Sequence, residues 1–238
     1  MKKILLLSVL CTLGLSISSC KKKGCTDASA VNYNSIAKKD DGSCLYKPFL
    51  TLNGAATVTL NVGATYTDAG ATATNKDGSA VTVTVNQAQV NTAQTGSYTV
   101  TYTATNANGT TSASRTVNVV IGTENWTDPT ATWVSSSTCS GTQFPLSADP
   151  VIAAGGGANQ VTIDNMFNLV GGMATGVVNG AAISMAQQTV NITIGDVNFS
   201  GVGSMNSTGT QFQITYTYEN TAPIIGGSGT CVAIYDKQ

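Results

Sequence analysis

The chain has 238 residues and no histidine, and this absence removes several classes of chemistry. A Ser-His-Asp or Cys-His catalytic arrangement needs an imidazole as its general base, and histidine-bearing zinc sites need it as a ligand. The sequence therefore predicts neither a hydrolase of the triad type nor a zinc enzyme with histidine ligands.

Charge is also scarce, because Asp, Glu, Lys and Arg together make up 10% of the chain. The chain has one arginine, Arg115, and beyond residue 48 its other cations are Lys76 and Lys237. A protein that binds nucleic acid neutralises a row of phosphates with Lys and Arg. We therefore expect no nucleic-acid partner.

The first apolar run, residues 4–15, is too short to cross a bilayer, which requires about 20 residues. Lys2 and Lys3 precede this run, and Ile17-Ser18-Ser19-Cys20 follows it. These features are typical of a cleaved signal peptide. The small residues before Cys20 resemble the bacterial lipobox, which implies that Cys20 carries the acyl chains of an outer-membrane lipoprotein. The alternative is an ordinary signal peptide with a free Cys20.

The lipobox resemblance implies a lipid anchor in the outer membrane, on a face that the sequence leaves open. The run Lys21-Lys22-Lys23 directly follows the predicted anchor. It is expected either to lie against anionic lipid headgroups or to form a solvated spacer.

Four cysteines remain beyond the signal peptide and Cys20, an even number in an oxidising compartment. Three pairings are possible, and the pairing of Cys25 with Cys44 and Cys139 with Cys231 keeps each bond inside one predicted domain. Zinc ligation is less favoured, because zinc-binding cysteines usually occur at two-to-four-residue spacing.

The segment at 20–47 is polar and too small to form its own hydrophobic core. Its motifs are Cys25-Thr26-Asp27, Ala30, Asn32-Tyr33, Ala37 and Asp40-Asp41-Gly42-Ser43-Cys44. They resemble a short cysteine-bracketed repeat of secreted Bacteroidetes proteins.

The oxygen-bearing side chains of this segment allow two interpretations. Asp27, Asn32, Asp40 and Asp41 are candidate calcium ligands if the disulfide brings them together. The favoured alternative is a set of Asx-type turns that close a disulfide-bonded knot. Calcium is the one cofactor considered for this chain.

Residues 48–122 alternate apolar and polar side chains with a period of two, which is typical of half-buried antiparallel strands. Turn sequences at 75–78 and 106–109 separate these runs, and no helix is expected. Gly96-Ser97-Tyr98 is similar to the tyrosine corner of immunoglobulin-like (Ig-like) sandwiches. Strands are predicted at 57–62, 81–85, 97–105 and 115–121.

A wider set of residues in this segment is Val62-Gly63, Tyr66, Asp68, Gly70-Ala71, Ala73, Gly96, Tyr98, Val100, Tyr102 and Arg115-Thr116-Val117. It resembles the Ig-like domain of Bacteroidetes lipoproteins and Bacillus pesticidal crystal proteins, which implies a spacer or binding module without chemistry of its own. Asn75 and Asn106 stand where that family usually has aspartate, so a calcium site on those carboxylates is not expected. Asp68 is expected to form a turn.

Residues 123–238 are also predicted as β structure, in a meander of six to eight strands. Asn179-Gly180 is the clearest hairpin signal. The fold class is therefore all-β: an Ig-like β-sandwich, then a second antiparallel sandwich or small barrel, with a short disulfide-bonded segment before them. The predicted parts are 1–19, 20–47, 48–122 and 123–238. Strands in the last part are predicted at 160–170, 177–186, 189–199, 211–218 and 230–235.

A glycosidase pair of carboxylates needs no histidine and is the remote catalytic alternative. Most of the available carboxylates lie next to Asn, Gly or Pro, as turn formers do, so we expect no enzyme. The candidates are Glu124, Asp128, Asp149, Asp164, Asp196, Glu219 and Asp236.

The predicted function is that of a lipid-anchored envelope protein which binds an extracellular polysaccharide or a partner protein, in nutrient capture or adhesion. The alternative is a structural stalk without a ligand. Sugar rings stack on exposed aromatic side chains, but Tyr216 and Tyr218 share a strand face with apolar neighbours and are expected in the core. Trp126 and Trp133 are therefore the candidate ligand-binding residues, or they pack one domain on the other.

Overall fold

The structure is a computed structural model that describes residues 21–141, 149–166, 172–192, 195–221 and 226–238. The signal peptide and Cys20 lie outside the described residues, as do the last four residues of the strand predicted at 160–170. Strands account for 54% of the chain and helix for 2%. The all-β prediction is confirmed.

Residues 21–47 form a compact unit of turns, called here the N-terminal knot. The Cys25–Cys44 disulfide closes it, in the pairing that the sequence favours. Backbone hydrogen bonds cross the loop, from Val31 N to Leu45 O at 2.8 Å and from Asn34 N to Cys25 O at 2.9 Å. Because the knot is too small to bury an apolar core, the disulfide and these bonds hold its shape.

The Ig-like domain has seven strands in two sheets, ordered β1-β3-β4 and β2-β7-β6-β5. β2 runs parallel to β7, whereas only antiparallel pairs were expected. Its strands are β1 (Phe49–Leu52), β2 (Thr57–Asn61), β3 (Ala71–Thr74), β4 (Ala80–Val81), β5 (Val83–Asn86), β6 (Gly96–Asn106) and β7 (Gly109–Val120).

Two strands of this domain escaped sequence prediction, and one predicted strand is divided. β1 and β3 are four residues each, too short for a clear alternating pattern. The run predicted at 81–85 changes sheets, since β4 pairs with β3 and β5 pairs with β6. The tyrosine corner is present, because the Tyr98 hydroxyl donates to the carbonyl of Gln94 at 3.0 Å.

A short helix, α1 (Thr123–Trp126), joins the Ig-like domain to the rest of the chain. The Asn125 amide donates to the carbonyl of Val62 at 2.9 Å, and the Trp126 indole donates to the carbonyl of Gly180 at 2.9 Å. One continuous hydrophobic cluster includes residues of both flanking β units. Among the described residues, no helix is long and apolar enough to span a membrane.

The remaining strands form one eight-stranded antiparallel sheet, a half-barrel called here the C-terminal sheet. Its order is β8-β15-β14-β13-β12-β11-β10-β9, so the first strand pairs with the last. Its strands are β8 (Trp133–Cys139), β9 (Val151–Ala154), β10 (Gln160–Asp164), β11 (Ala174–Asn179), β12 (Ala182–Ile192), β13 (Gly195–Met205), β14 (Gln211–Asn220) and β15 (Gly227–Lys237).

Cys139 and Cys231 are paired across β8 and β15 and form the second disulfide. The hairpin at Asn179-Gly180 joins β11 to β12, as the sequence predicts. The run predicted at 177–186 crosses this hairpin, and the run predicted at 189–199 includes residues of both β12 and β13. The alternation of apolar and polar side chains continues through such tight turns, so it did not mark the strand ends.

Candidate functional site

Both tryptophans are buried, so the prediction of an exposed stacking surface at these residues is wrong. Trp126 is 0% exposed and Trp133 is 2% exposed. Both rings contact Phe212, with centroid distances of 5.2 Å and 4.9 Å. Both rings pack on Phe212 at the end of the C-terminal sheet that adjoins α1. Tyr216 and Tyr218 are buried, as predicted.

The four candidate calcium ligands in the knot do not converge on a common point. Asp27 Oδ1 accepts from the backbone amide of Ser29 at 2.9 Å, which is an Asx turn. Asp40 and Asp41 accept in the same way from the amides two residues further on. Within the described part of the chain, no three Asp, Glu, Cys or His side chains are grouped as metal ligands. The arrangement therefore fits the turn interpretation and does not fit a calcium ion.

Asn32 also has a structural role in the knot. Its amide nitrogen donates to the carbonyl of Ser43 at 2.6 Å, and its amide oxygen accepts from the amide of Leu45 at 2.8 Å. Both ends of the side chain thus bridge the two halves of the loop. The Tyr46 hydroxyl and Ser29 hold the pKa of Asp27 at about 2, so its carboxylate is ionised at neutral pH.

The seam between the knot and the Ig-like domain explains the two asparagines at usual aspartate positions. The Asn106 amide donates to Asn75 Oδ1 and to the carbonyl of Tyr46, both at 2.9 Å. Two carboxylates so close would repel each other without a cation between them. The amides instead hydrogen-bond directly, and they fasten the knot to the Ig-like domain. Lys76 lies 4.9 Å from the centre of the Tyr46 ring.

The buried centre of the Ig-like domain is Arg115, which is 1% exposed. It forms an ion pair with Asp68 and donates to the Tyr102 hydroxyl at 2.7 Å. It also donates to the carbonyls of Asn53 and Ala55. The guanidinium is enclosed and partnered on several sides, so it holds the fold and is not available to a ligand.

Asp68 forms the expected turn, through a hydrogen bond with the backbone of Gly70, and is also the partner of Arg115. Burial opposes ionisation of Asp68, but the Tyr102 and Tyr66 hydroxyls outweigh it and lower its pKa. Desolvation raises the pKa of Tyr102, and the hydrogen bond to Asp68 raises it further. The pair is therefore charged at neutral pH, and Tyr102 is protonated.

An open depression lies on the outer face of the C-terminal sheet, across β12, β13 and β14. It begins at a bulge in β12. Met185 pairs with Gly201, but Gln188 pairs with Phe199, so two residues of β12 oppose Ser200 alone. A bulge of this kind bends the strand and redirects its side chains. The groove lies beside this bulge, across β12, β13 and β14.

Two adjoining depressions, of about 430 Å³ and 250 Å³, make up this surface and share Ser200 and Thr217. We call them together the outer groove. Its lining residues are Met185, Gln187, Asn198, Phe199, Ser200, Gly201, Val202, Thr215, Tyr216, Thr217, Tyr218 and Glu219.

The outer groove follows from the period of two along β13 and β14. Asn198, Ser200 and Val202 alternate with inward residues, so they stand on the outer face over about 13 Å. Cross-strand pairing places Glu219 opposite Asn198 and Thr217 opposite Ser200. The side chains offer amides, hydroxyls and one carboxylate, and Val202 adds an apolar surface that is 64% exposed.

Glycines at two positions of β13 allow β13 and β14 to lie close together. A Cβ at Gly201 would lie 2.9 Å from the Cβ of Tyr216, and one at Gly203 would lie 2.2 Å from the carbonyl oxygen of Gln213. A side chain at either position would force β13 away from β14. All three residues of Gly201-Val202-Gly203 lie inside β13.

The outer groove was not predicted from the sequence, because composition and simple alternation do not locate a bulge. The available signal was glycine at 201 and 203 inside a strand pattern, because such glycines mark bulges and close backbone approach. Several of the carboxylates considered for a glycosidase pair accept hydrogen bonds from nearby side chains. Asn61 donates to Glu124, Lys237 to Asp128, Asn191 to Asp196 and Gln211 to Asp236.

Comparison with known proteins identifies one part of the chain. Residues 50–119 match the family described as bacterial surface protein, Ig-like domain. No curated protein matches the chain. A crystal structure of the lipoprotein BT2262 from Bacteroides thetaiotaomicron aligns with 79% of this chain and 99% of its own, at 16% identity and a TM-score of 0.30. That similarity is too low to support an argument. The chain thus contains an Ig-like domain of bacterial surface proteins, which indicates a cell-envelope location.

Proposed function

We propose that this chain is a non-catalytic, lipid-anchored protein of the cell envelope whose outer groove binds a neutral, hydroxyl-rich polymer such as a polysaccharide. The observation that carries the proposal is the continuity of the two depressions through Ser200 and Thr217. An elongated, open groove suits a segment of a polymer better than a small molecule, which is usually enclosed.

The chemistry of the groove favours a ligand without charge. Amides, hydroxyls and Glu219 exchange hydrogen bonds with hydroxyl groups, and Val202 offers a surface for C–H groups. None of the cations beyond residue 48 lines the groove. An anionic polymer would therefore meet Glu219 without a compensating positive charge.

The first test is the retardation of the mature chain, with Cys20→Ser to prevent acylation, in native gels that contain neutral or acidic polysaccharides. We expect one or more neutral polysaccharides to retard it. Val202→Trp places a bulky ring in the groove and should abolish retardation.

The matched control is Val177→Trp on β11, because Val177 is 50% exposed and lies outside the groove. This variant should be retarded like the parent. Equal loss in both variants would reject the groove as the site. If no polysaccharide retards the parent chain, polymer binding is wrong and the structural stalk becomes the better interpretation.

The lipid anchor requires a separate test, because the groove and the anchor are independent. Cells expressing the full chain are labelled with radioactive palmitate, and the label should enter the parent chain but not a Cys20→Ala variant. Label in that variant, or none in the parent, would contradict acylation of Cys20. External protease on intact cells then determines whether the anchored chain faces outward.

A further inference from the structure

Two separate lysine runs lie side by side in the knot. Lys23 and Lys39 form a parallel β-bridge. The amide of Lys38 donates to the carbonyl of Lys22 at 2.8 Å, and the amide of Gly24 donates to the carbonyl of Lys39 at 3.2 Å. Strands paired in this way lie about 4.8 Å apart, so residues 16 positions apart in sequence become neighbours.

We use the name lysine face for the five lysines of these two paired segments, Lys21, Lys22, Lys23, Lys38 and Lys39. Successive side chains of an extended segment point to opposite sides, so the name denotes the group and not one common direction. All five side chains are exposed. Hydrogen bonds from Ser43 lower the pKa of Asp41, and the charge of Lys23 lowers it further, so this carboxylate lies near Lys23 and offsets part of the charge. The apolar side chain of Ile36 is 57% exposed two residues before Lys38.

The position of the lysine face indicates what it contacts. The described chain starts at Lys21, directly after Cys20, so an acyl anchor on Cys20 would hold the lysine face at the membrane surface. Clusters of four to eight cationic residues beside an anchor bind anionic lipid headgroups, and an exposed apolar side chain among them adds to such binding.

We propose that the lysine face docks on anionic phospholipid headgroups of the leaflet that holds the acyl chains of Cys20. The proposal rests on the lipid anchor of the proposed function and is independent of the outer groove. The folded knot then contacts the membrane through two lysine runs that are separate in the sequence. The Cys25–Cys44 disulfide fixes the loop that brings the second run to the first.

The test uses the mature chain with Cys20→Ser, which contains every described residue and has no acyl chain to mask weak binding. Sedimentation with vesicles of phosphatidylcholine alone, or of phosphatidylcholine with phosphatidylglycerol, measures the bound fraction. We expect binding only when phosphatidylglycerol is present, and release when the salt concentration is raised.

The decisive variant is Lys38→Gln/Lys39→Gln. These two residues are distant from the anchor in sequence, and only the folded knot brings them next to the first lysine run. Each lysine near an anionic surface contributes about fivefold to the partition coefficient, so the double variant should bind about 25-fold more weakly. The matched control is Lys47→Gln/Lys76→Gln, which removes the same charge outside the lysine face. It should change binding less than about threefold, and thermal unfolding verifies that both variants fold.

Three results would overturn the proposal. They are binding that does not depend on phosphatidylglycerol, equal losses in the two double variants, and no loss in Lys38→Gln/Lys39→Gln. Because no polysaccharide and no acyl chain is present, none of these results bears on the outer groove or on acylation of Cys20.

Discussion

The Ig-like domain and the C-terminal sheet are both built from strands with few charged residues, yet their centres differ. The Ig-like domain is centred on the buried ion pair of Arg115 and Asp68 and has no disulfide. The C-terminal sheet packs aromatic rings on its inner face, with Phe212 stacked on Tyr235 at 4.3 Å, and has a disulfide between its first and last strands.

The difference follows from the size of the available side chains. The core strands of the Ig-like domain supply mainly Val, Ala and Thr, whose side chains are smaller than the rings of the C-terminal sheet. Arg115 reaches the loops around residues 53–55 and 66–70 and satisfies their carbonyls. The C-terminal sheet has large rings to fill its concave face, and its disulfide joins the edge strand β8 to β15. The two β units of this chain are thus stabilised in different ways, one by a buried ion pair and the other by aromatic packing and a disulfide.

The largest effect is expected from Arg115→Met. This variant leaves Asp68 charged and partly buried and removes the donors to three loop carbonyls, so the free energy of unfolding should fall by about 5 kcal/mol. Urea unfolding measures the change. Lys237→Met breaks the half-exposed pair with Asp128 and should cost less than about 1 kcal/mol. Similar losses in the two variants would show that burial does not distinguish these pairs.

The second largest loss of stability is expected from removal of the second disulfide. Cys139→Ala/Cys231→Ala opens a loop with a sequence separation of 92 residues. In the chain-entropy model, this costs roughly 4.5 kcal/mol. Cys25→Ala/Cys44→Ala, with a separation of 19, should cost roughly 3 kcal/mol and loosen the knot. Calorimetry under oxidising conditions compares them, and a larger loss in the knot would contradict the model.

A smaller effect, an increase in the free energy of unfolding, is expected from a substitution of Tyr235. Within the described residues its hydroxyl is buried without a hydrogen-bond partner, and burial raises its pKa. Tyr235→Phe removes a polar group that lost its water on folding, so the free energy of unfolding should rise by about 1 kcal/mol. Tyr98→Phe removes the partnered hydroxyl of the tyrosine corner and should lower it by about 1 kcal/mol. Losses in both variants would show that the Tyr235 hydroxyl has an internal partner.

The smallest effect is expected in the dependence of the free energy of unfolding on pH. The hydrogen bond from Lys237, with those from Thr130, lowers the pKa of Asp128 from 3.8 to about 2. A lowered folded-state pKa gives stability that is present above pH 3.8 and disappears as the pH falls to about 2. The stability gap between the parent and Asp128→Asn should therefore narrow as the pH falls through this window. Urea midpoints at several pH values measure it, and a constant gap would exclude this linkage.

The sequence predicted more of the fold than of the site, for physical reasons. Alternation located β2, β6 and β14, where one face is less exposed than the other along most of the strand. It did not locate β1 or β3, which are short, or the ends of β12, where the pattern continues through a turn. The tyrosine corner was predictable because a local motif, Gly96-Ser97-Tyr98, defines it.

The functional surfaces depend on contacts between distant residues, which the pattern does not show. Trp126 looked like a ligand-binding residue because an aromatic side chain gives no sign of its burial. The outer groove depends on a bulge opposite Ser200, and the lysine face depends on the pairing of Lys23 with Lys39. Asp68 was expected at a turn, but its partner Arg115 lies 47 positions away.

The parallel pairing of β2 with β7 has a mechanical consequence. A polymer held in the outer groove and an anchor at the N-terminus would pull the chain from opposite directions. The pull would reach β2 at Thr57 and β7 at Val120, which lie at opposite ends of the paired strands. The hydrogen bonds between these strands would then be sheared together instead of being unzipped one by one. Resistance to tension would thus be concentrated where β2 joins the sheet.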